Sequence, residues 1–302
     1  MRKRWGAYMD LSLAMFISGS AIVVSKLMVG TMPPFLLTEI GIFIGLLILY
    51  PVTFIYRKEF YKLDLRTFLA LLGQAVCGIV LYRIFTLIGL SYTSAANSGL
   101  ITSSTPAMVE ILAAILLKEK VSWNGLIGLL LVLAGLFTIN IYTYSIEGTG
   151  KTSLFGNFLI LVAVVCEALF SVLSKMRSQA ISPLFRTTMI ATIAFACLLP
   201  FALCELSSYK LGSIPARTGY CLVYYGVCVS FLSHVLWFKG IGKVKASEAA
   251  TFTSVVPISS IILAAILLRE RIAFVHLIGM ILIIGGILFS AVQPAKRISN
   301  ES

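Results

Sequence analysis

The stretch STPAMVEILAAILLKEKVSW, Ser104–Trp123, returns almost unchanged as VVPISSIILAAILLRERIAF, Val255–Phe274. Each copy has a proline near its start, a long apolar run, and an acidic residue between two basic residues near its end. The two prolines, Pro106 and Pro257, are 151 positions apart in a chain of 302 residues. A repeat of this length predicts that the protein consists of two similar halves.

The composition excludes an ordinary soluble protein. Hydrophobic residues make up 59% of the chain and charged residues only 12%, whereas a soluble domain carries about 25% charged residues. Apolar runs of about 18 or more residues recur along the chain, and each is long enough to cross the hydrocarbon core of a bilayer as a helix. The sequence therefore predicts an all-α integral membrane protein that passes through the lipid bilayer many times.

Charged and turn-forming residues divide the chain into ten predicted transmembrane helices, five in each half. Because five is an odd number, the second copy enters the membrane from the opposite side, and the two repeats are inverted. The first repeat covers residues 1–145, the second covers 152–293, and 294–302 form a tail. The predicted spans are 6–29, 34–56, 68–90, 95–117, 122–142, 154–175, 183–205, 218–239, 246–268 and 273–292.

The distribution of basic residues predicts the orientation. With these spans, seventeen of the 24 Lys and Arg residues fall on the side of the two termini and five on the other side. Basic loops are typical of the cytoplasmic side, so both termini are expected in the cytoplasm and the spans in the cell membrane. The same loops account for the net charge of +12, and we expect no nucleic-acid partner.

Residues 90–137 and 241–289 resemble the EamA domain of the drug/metabolite transporter superfamily. Both segments have a helix rich in small residues with a proline, an apolar run, an acidic residue among basic ones, and a last helix that contains glycines. The residues that carry this resemblance are Pro106, Glu119, Gly128, Gly135, Pro257, Glu270, Gly279 and Gly286.

The resemblance implies a ten-helix carrier with a central cavity lined mainly by helices 1, 3, 4, 6, 8 and 9. Family members move amino acids, amines, nucleosides, sugars or drugs, often outward. It therefore implies a secondary active exporter of small metabolites that works by alternating access, for which inverted repeats are suited. Many members have an arginine early in helix 2, where this chain has Glu39, while the second copy keeps Arg186.

Ionisable side chains inside predicted spans are candidates for substrate or ion binding, because each costs a few kcal/mol in the bilayer. Glu110 and Glu167 lie about 12 Å from their cytoplasmic helix ends, near the midplane. We expect them to bind a proton as the coupling ion, or the ammonium group of a substrate; a structural hydrogen-bonded carboxyl is the alternative. Arg83 and His234, which align at the offset of 151, are further binding candidates, and a packing role is the alternative for His234.

Two more groups of side chains are candidates for a role in transport, one as a gate and one in substrate binding. Lys26 and Glu39 lie in the outer third of their spans and are outer-gate candidates, with Glu39 paired to Lys26 or Arg83. The alternative is a scaffolding salt bridge, or a Lys26 side chain that extends to the membrane interface. Tyr82 and Trp237 lie beside charged candidates and can stack on an aromatic or cationic substrate. The alternative for both aromatic residues is packing or anchoring at the interface.

Prolines and small residues predict where helices bend and pack. Pro106 and Pro257 each free a backbone carbonyl one turn earlier, so both are hinge candidates. Asn97 belongs to a polar stretch before the first of these prolines and is a substrate-binding candidate. Gly41 and Gly45 have G-x-x-x-G spacing, which fits either a homodimer face or internal packing; we favour internal packing.

The alternatives to a transporter are an integral membrane enzyme and a non-transporting accessory membrane protein. His234 and His276 are the only histidines, and no H-E-x-x-H motif or cluster of metal ligands is present. We therefore predict no metal site, no cofactor and no catalytic residue. An accessory role predicts that Glu110 and Glu167 are dispensable.

Overall fold

The structure analysed is a computed structural model of the full chain. Its described residues form helices and connecting turns, without any β-strand. These described residues are 2–28, 31–55, 63–93, 98, 101–102, 104–119, 123–147, 153–176, 181–209, 215–267, 269 and 273–291.

The described parts of the chain form a bundle of apolar helices. Seven helices are long and apolar enough to cross a membrane, and three further apolar helices are shorter. In chain order the helices are α1 (Arg2–Met28), α2 (Pro34–Phe54), α3 (Leu65–Tyr92), α4 (Thr105–Leu116), α5 (Trp123–Glu147), α6 (Leu154–Lys175), α7 (Pro183–Ser208), α8 (Ala216–Ile241), α9 (Ala246–Leu267) and α10 (Phe274–Ala291).

The shorter apolar stretches belong to α4, α5 and α10. Each predicted span overlaps one helix of the structure, so the predicted all-α membrane fold is confirmed at that level.

The helix ends agree closely with the predicted span ends because turn-forming residues set them. Pro34 and Pro183 lie in the first turns of α2 and α7, where a missing N–H group removes no helical hydrogen bond. At the start of α3, the Asp64 carboxylate accepts a hydrogen bond from the backbone N–H of Thr67 at 3.0 Å, as N-cap residues do.

Glycines bring α5 and α10, the last helices of the two sequence repeats, into direct contact. A Cβ atom added at Gly135 would lie 2.6 Å from the carbonyl oxygen of Gly279. One added at Gly286 would lie 2.6 Å from the carbonyl oxygen of Gly128 and 2.9 Å from the amide nitrogen of Val132. The earlier glycine of each helix faces the later glycine of the other, so α5 and α10 run antiparallel. These two repeat-equivalent helices thus point in opposite directions.

We expect Gly286→Ala to destabilise the folded protein by about 1–2 kcal/mol, because the added methyl group would press against the α5 backbone. Thermal unfolding in detergent measures the change. The neighbouring Gly285 is the matched control, since a Cβ atom there meets nothing within 4 Å. Equal melting temperatures for Gly286→Ala and Gly285→Ala would contradict the close contact.

The two glycines of the G-x-x-x-G sequence pack inside the chain. A Cβ atom at Gly41 would lie 2.7 Å from the ring of Tyr225, and one at Gly45 would lie 3.2 Å from the carbonyl oxygen of Gly226. Both neighbours belong to α8, so the internal-packing interpretation is confirmed. Because the Gly41 and Gly45 face of α2 is covered by α8, it does not support a homodimer interface.

Candidate functional site

A cavity of about 560 Å³ lies within the bundle. It is lined by residues of α1, α3, α6, α8 and α9 and by the start of α4, which are the helices that the family resemblance implies. Residues of α2 and α7 and one residue of α5 also contribute. Hydroxyl groups and aromatic rings cover much of the wall. Among the residues that the structure describes, its ionisable side chains, apart from tyrosines, are Arg83, Glu167 and His234.

Glu167 is the carboxylate of the cavity wall. It lies in the middle of α6, partly buried, and its Oε2 atom accepts a hydrogen bond from the Thr105 hydroxyl at 3.4 Å. Thr105 stands in the first turn of α4, so this contact joins the two sequence repeats across the cavity. A carboxylate supported by one long hydrogen bond keeps acceptor capacity for a ligand.

Arg83 supplies the positive charge of the cavity. Its Nη2 atom donates to the carbonyl oxygen of Pro34 at 3.3 Å, at the start of α2. Its Nε atom is buried and has no hydrogen-bond partner among the described residues. A guanidinium with unused donors suits an anionic or hydrogen-bond-accepting group on a ligand.

Glu39 does not pair with Arg83, so that alternative of the predicted outer gate is wrong. Glu39 is 5% exposed, and neither carboxylate oxygen has a hydrogen-bond partner in the described part of the chain. It falls on the helical face of Phe35 and Ile42, which pack on α7, whereas Arg83 reaches the first turn of α2.

The structure places one of the three other candidates, and it places that one away from the cavity wall. Glu110 is partly buried on α4 and does not line the cavity, although its depth is close to that of Glu167. Asn97 lies outside the described residues, and so does the side chain of Lys26. The functional roles of these three residues stay predictions.

Tyr82, Trp237 and His234 all line the cavity, as expected. Trp237 is 3% exposed, and its indole nitrogen has no hydrogen-bond partner among the described residues. The Nδ1 atom of His234 lies 3.1 Å from the carbonyl oxygen of Val229 in its own helix. This hydrogen bond agrees with the packing alternative for His234 and leaves its Nε2 atom as the nitrogen available to a ligand.

The two hinge prolines also line the cavity. Pro106 lies in the first turn of α4, and Pro257 follows a break at residues 253–254 that divides α9 into two helical segments. The carbonyl group one turn before Pro257 is that of Thr253. It accepts a hydrogen bond from the backbone N–H of Val256 at 3.1 Å, in a turn that is tighter than an α-helical turn. The break fits the predicted hinge, and movement there stays a prediction.

Sequence analysis missed two π-helical segments beside the cavity. They are Val76–Leu81 in α3 and Tyr225–Ser233 in α8, and they overlap at the repeat offset of 151. One directly precedes Tyr82 and Arg83, and the other directly precedes His234. π-Helical turns widen a helix and are frequent at functional sites. Hydropathy does not indicate which backbone carbonyl each N–H group bonds to, so it could not predict the π-helical segments. The sequence repeat indicates only that the two segments should occur at equivalent positions.

Basic side chains gather at one end of the bundle, which we call the basic end. Asp10 near the start of α1 forms ion pairs with Lys239 at 3.0 Å and with Lys243 at 3.4 Å, at the end of α8. Lys175 at the end of α6 donates to the carbonyl oxygen of Ile241 at 3.2 Å. An apolar cluster fills the space between this end and the cavity; its members include Ala7, Leu11, Leu71, Ala75, Phe185, Phe238, Ile241, Ala249 and Phe252.

Arg186 is a buried structural residue at the basic end. It is the fourth residue of the predicted span 183–205, and it is 2% exposed. Its Nη1 atom donates to the Ser174 carbonyl oxygen at 2.6 Å, and its guanidinium lies 5.3 Å from the centre of the Phe238 ring. Arg186 lies three residues after Pro183, which begins α7. This position already indicated in the sequence that Arg186 belongs to a helix and not to a loop.

The comparisons with known proteins agree with this architecture. The model of the EamA-like transporter family matches the chain twice, over residues 5–141 and 154–292. The chain belongs to the EamA-like transporter family. EamA membership confirms the resemblance seen in the two repeated segments and makes the protein a multi-pass membrane transporter of small molecules.

Other EamA-like relatives are similar over nearly their whole length. YetK, an uncharacterized transporter of Bacillus subtilis (strain 168), is 39% identical over 297 residues, covering 98% of this chain and 90% of YetK. YoaV, an uncharacterized transporter of the same organism, is 23% identical over 291 residues, covering 93% of this chain and 95% of YoaV. A solved crystal structure aligns with a TM-score of 0.80 at 19% identity, over 95% of this chain and 96% of that chain. That likeness shows a shared fold.

Proposed function

We propose that this transporter is a secondary active exporter of small metabolites, namely amino acids, amines or related drug-like solutes, and that it works by alternating access. The observation that carries the proposal is the cavity between the two repeats, which contains both a carboxylate and a guanidinium and is closed by apolar side chains at the basic end. A cavity with charged groups that is packed shut at one end is what a carrier needs in order to expose its substrate to one side at a time.

The chemistry of the wall supports this substrate class. In the proposal, Glu167 binds the ammonium group of the substrate or carries the coupling proton, and Arg83 binds a carboxylate or another acceptor group. The rings of Tyr82 and Trp237 contact an aromatic or aliphatic portion of the substrate. Hydroxyl groups around the cavity replace water contacts that the substrate loses on entry.

The proposed topology has ten spans, with α4, α5 and α10 crossing as well as the seven helices that have longer apolar stretches. The two repeats, 1–145 and 152–293, are inverted, and the tail 294–302 and the N-terminus are cytoplasmic. The antiparallel contact of α5 and α10 supports the inversion. The gathering of Lys175, Lys239 and Lys243 at one end supports placing that end in the cytoplasm of a cell whose inner or plasma membrane holds the protein.

The first test is an unbiased metabolite profile of cells that express the protein and of matched cells that do not. We expect one chemical class, cationic or zwitterionic at neutral pH, to accumulate in the medium of the expressing cells, because an ammonium group matches Glu167 and a zwitterion matches both Glu167 and Arg83. Mass spectrometry of medium and cell extract measures the redistribution.

The direction of the change decides between the alternatives. Accumulation inside the expressing cells instead of outside would make the protein an importer and overturn the export part of the proposal. An unchanged distribution, together with a new product in the cell extract, would favour an enzyme. No change in either compartment would favour an accessory role.

A further inference from the structure

Glu119 connects the end of α4 to the start of α9, and it accepts hydrogen bonds from the first backbone N–H groups of a helix that belongs to the other repeat. Its Oε1 atom accepts a hydrogen bond from the backbone N–H of Ala246 at 3.0 Å. Its Oε2 atom accepts from the backbone N–H of Ser247 at 3.2 Å and from the Ser247 hydroxyl at 3.1 Å. The acceptor lies in the first sequence repeat and all three donors lie in the second.

The physical chemistry of a helix start makes this a strong contact. The first backbone N–H groups of a helix have no partner within it, and they attract negative charge. The N-cap residue of α9 is Lys245, whose ammonium group has no acceptor atom for those N–H groups. A carboxylate from the other repeat therefore fills a role that Ser, Thr, Asp or Asn usually fills from within the same helix.

The end of α4 is shaped to present Glu119. Lys118 has a φ of 53°, in the left-handed region, and the Glu119 N–H bonds back to the Ala113 carbonyl oxygen at 3.3 Å. This is the pattern of a Schellman motif, with lysine where glycine is usual. Arg269, the repeat-equivalent of Lys118, has a φ of 57°. The backbone turn before each acidic residue is thus shared by both repeats.

The contact lies beside a cluster of buried apolar side chains. Directly behind it, small side chains from α4, α6 and α9 meet without exposure; this cluster consists of Val109, Ala113, Ala168, Val172, Ala246 and Ala250. Two weaker contacts between the repeats lie nearby, from the Tyr8 hydroxyl to Glu248 at 3.2 Å and from Asp10 to lysines that are 43–52% exposed. Exposed ion pairs contribute little. The buried hydroxyl groups of Thr53 and Thr188, 2.6 Å apart, join α2 to α7, and Glu119 is the polar link that joins α4 to α9.

We propose that Glu119 is a gating residue, a latch whose three hydrogen bonds hold α4 against α9 and keep the cavity closed at the basic end. Opening that end requires the three bonds to break together, because α4 and α9 belong to different repeats. This inference rests on the proposed alternating-access function and adds the residue that controls access at one end.

The test measures access to the cavity and needs no substrate. Ser171 lines the cavity one turn from the basic end of α6 and is 4% exposed, so Ser171→Cys in a protein without its six natural cysteines places one thiol at the inner wall. A membrane-impermeant maleimide is applied to inside-out vesicles and, separately, to right-side-out spheroplasts. The rate of labelling from each side reports which end is open.

We expect Glu119→Gln to increase the labelling rate from the basic-end side about tenfold, which corresponds to about 1.4 kcal/mol, because an amide offers one acceptor atom where the carboxylate offers two. Ser247→Ala, which removes one donor of three, should give a smaller increase in the same direction, and it carries the test if Glu119→Gln does not fold. Glu270→Gln, the sequence counterpart in the other repeat, is the matched control and should not speed labelling from that side.

An unchanged labelling rate in Glu119→Gln and Ser247→Ala, at a melting temperature equal to that of the parent, would overturn the latch. A lower melting temperature with unchanged sidedness would also overturn it, because Glu119 would then act only on stability. Neither result bears on the export proposal, since labelling is measured without substrate.

Discussion

Glu167→Gln reduces export about 10- to 100-fold, whereas Glu110→Gln leaves the rate within about twofold of the unchanged protein. A hydrogen bond to a charged group contributes about 1.5–3 kcal/mol, and each 1.4 kcal/mol is a factor of ten. Glu167 lines the cavity beside Thr105, while Glu110 does not reach it. The measurement is the initial rate of efflux of the compound class found in the metabolite profile, from cells with matched membrane levels of each variant.

The pair of variants separates function from the general effect of removing a charge in a span. Both carboxylates lie in the membrane-spanning bundle, both are partly buried, and both change to an amide of nearly the same shape. Equal losses in Glu110→Gln and Glu167→Gln would indicate a shared structural role. Full export by Glu167→Gln would show that the substrate contacts other residues and would remove Glu167 from the site.

The contrast between these two glutamates also shows which features of the site can be predicted from the sequence. Depth along a helix follows from residue number at about 1.5 Å per residue, and it assigned Glu110 and Glu167 equally to the midplane. Which side of the helix faces the cavity depends on packing with other helices, and the apolar runs around both residues are hydrophobic on every side. A helix without a polar stripe does not reveal its inner face. Glu39 was misassigned to Arg83 for the same reason.

The fold was predictable because its signals are local and repeated. Apolar runs bounded by charges give the helices, the offset of 151 gives the duplication, and the family motif around Pro106 and Pro257 gives the cavity-lining helices. The latch at Glu119 was not predictable, because it depends on a contact between residues 127 positions apart in sequence. The Lys-Glu-Lys triplet appeared only as a charged turn at the end of a helix.

Arg186→Leu should destabilise the protein by about 3 kcal/mol, the largest stability effect expected from a single substitution here. Arg186 is 2% exposed and holds the start of α7 against the end of α6 through the Ser174 carbonyl oxygen. Carbonyl groups at a helix end have no partner within the helix, and leaving one buried without a donor costs about 1–3 kcal/mol. The loss of the guanidinium from the face of Phe238 adds about 1–2 kcal/mol.

Arg217→Leu is the matched control, because Arg217 lies exposed in the first turn of α8 and the same change of side chain there removes no buried contact. Thermal unfolding in detergent compares the two variants, and Arg186→Lys tests the geometry, since lysine can donate to Ser174 but has no planar group to stack on Phe238. The expected order of melting temperatures is Arg217→Leu highest, Arg186→Lys intermediate and Arg186→Leu lowest. If Arg186→Leu melted with Arg217→Leu, the buried guanidinium would contribute nothing to the fold, and its burial beside the closed end would point to a role in transport.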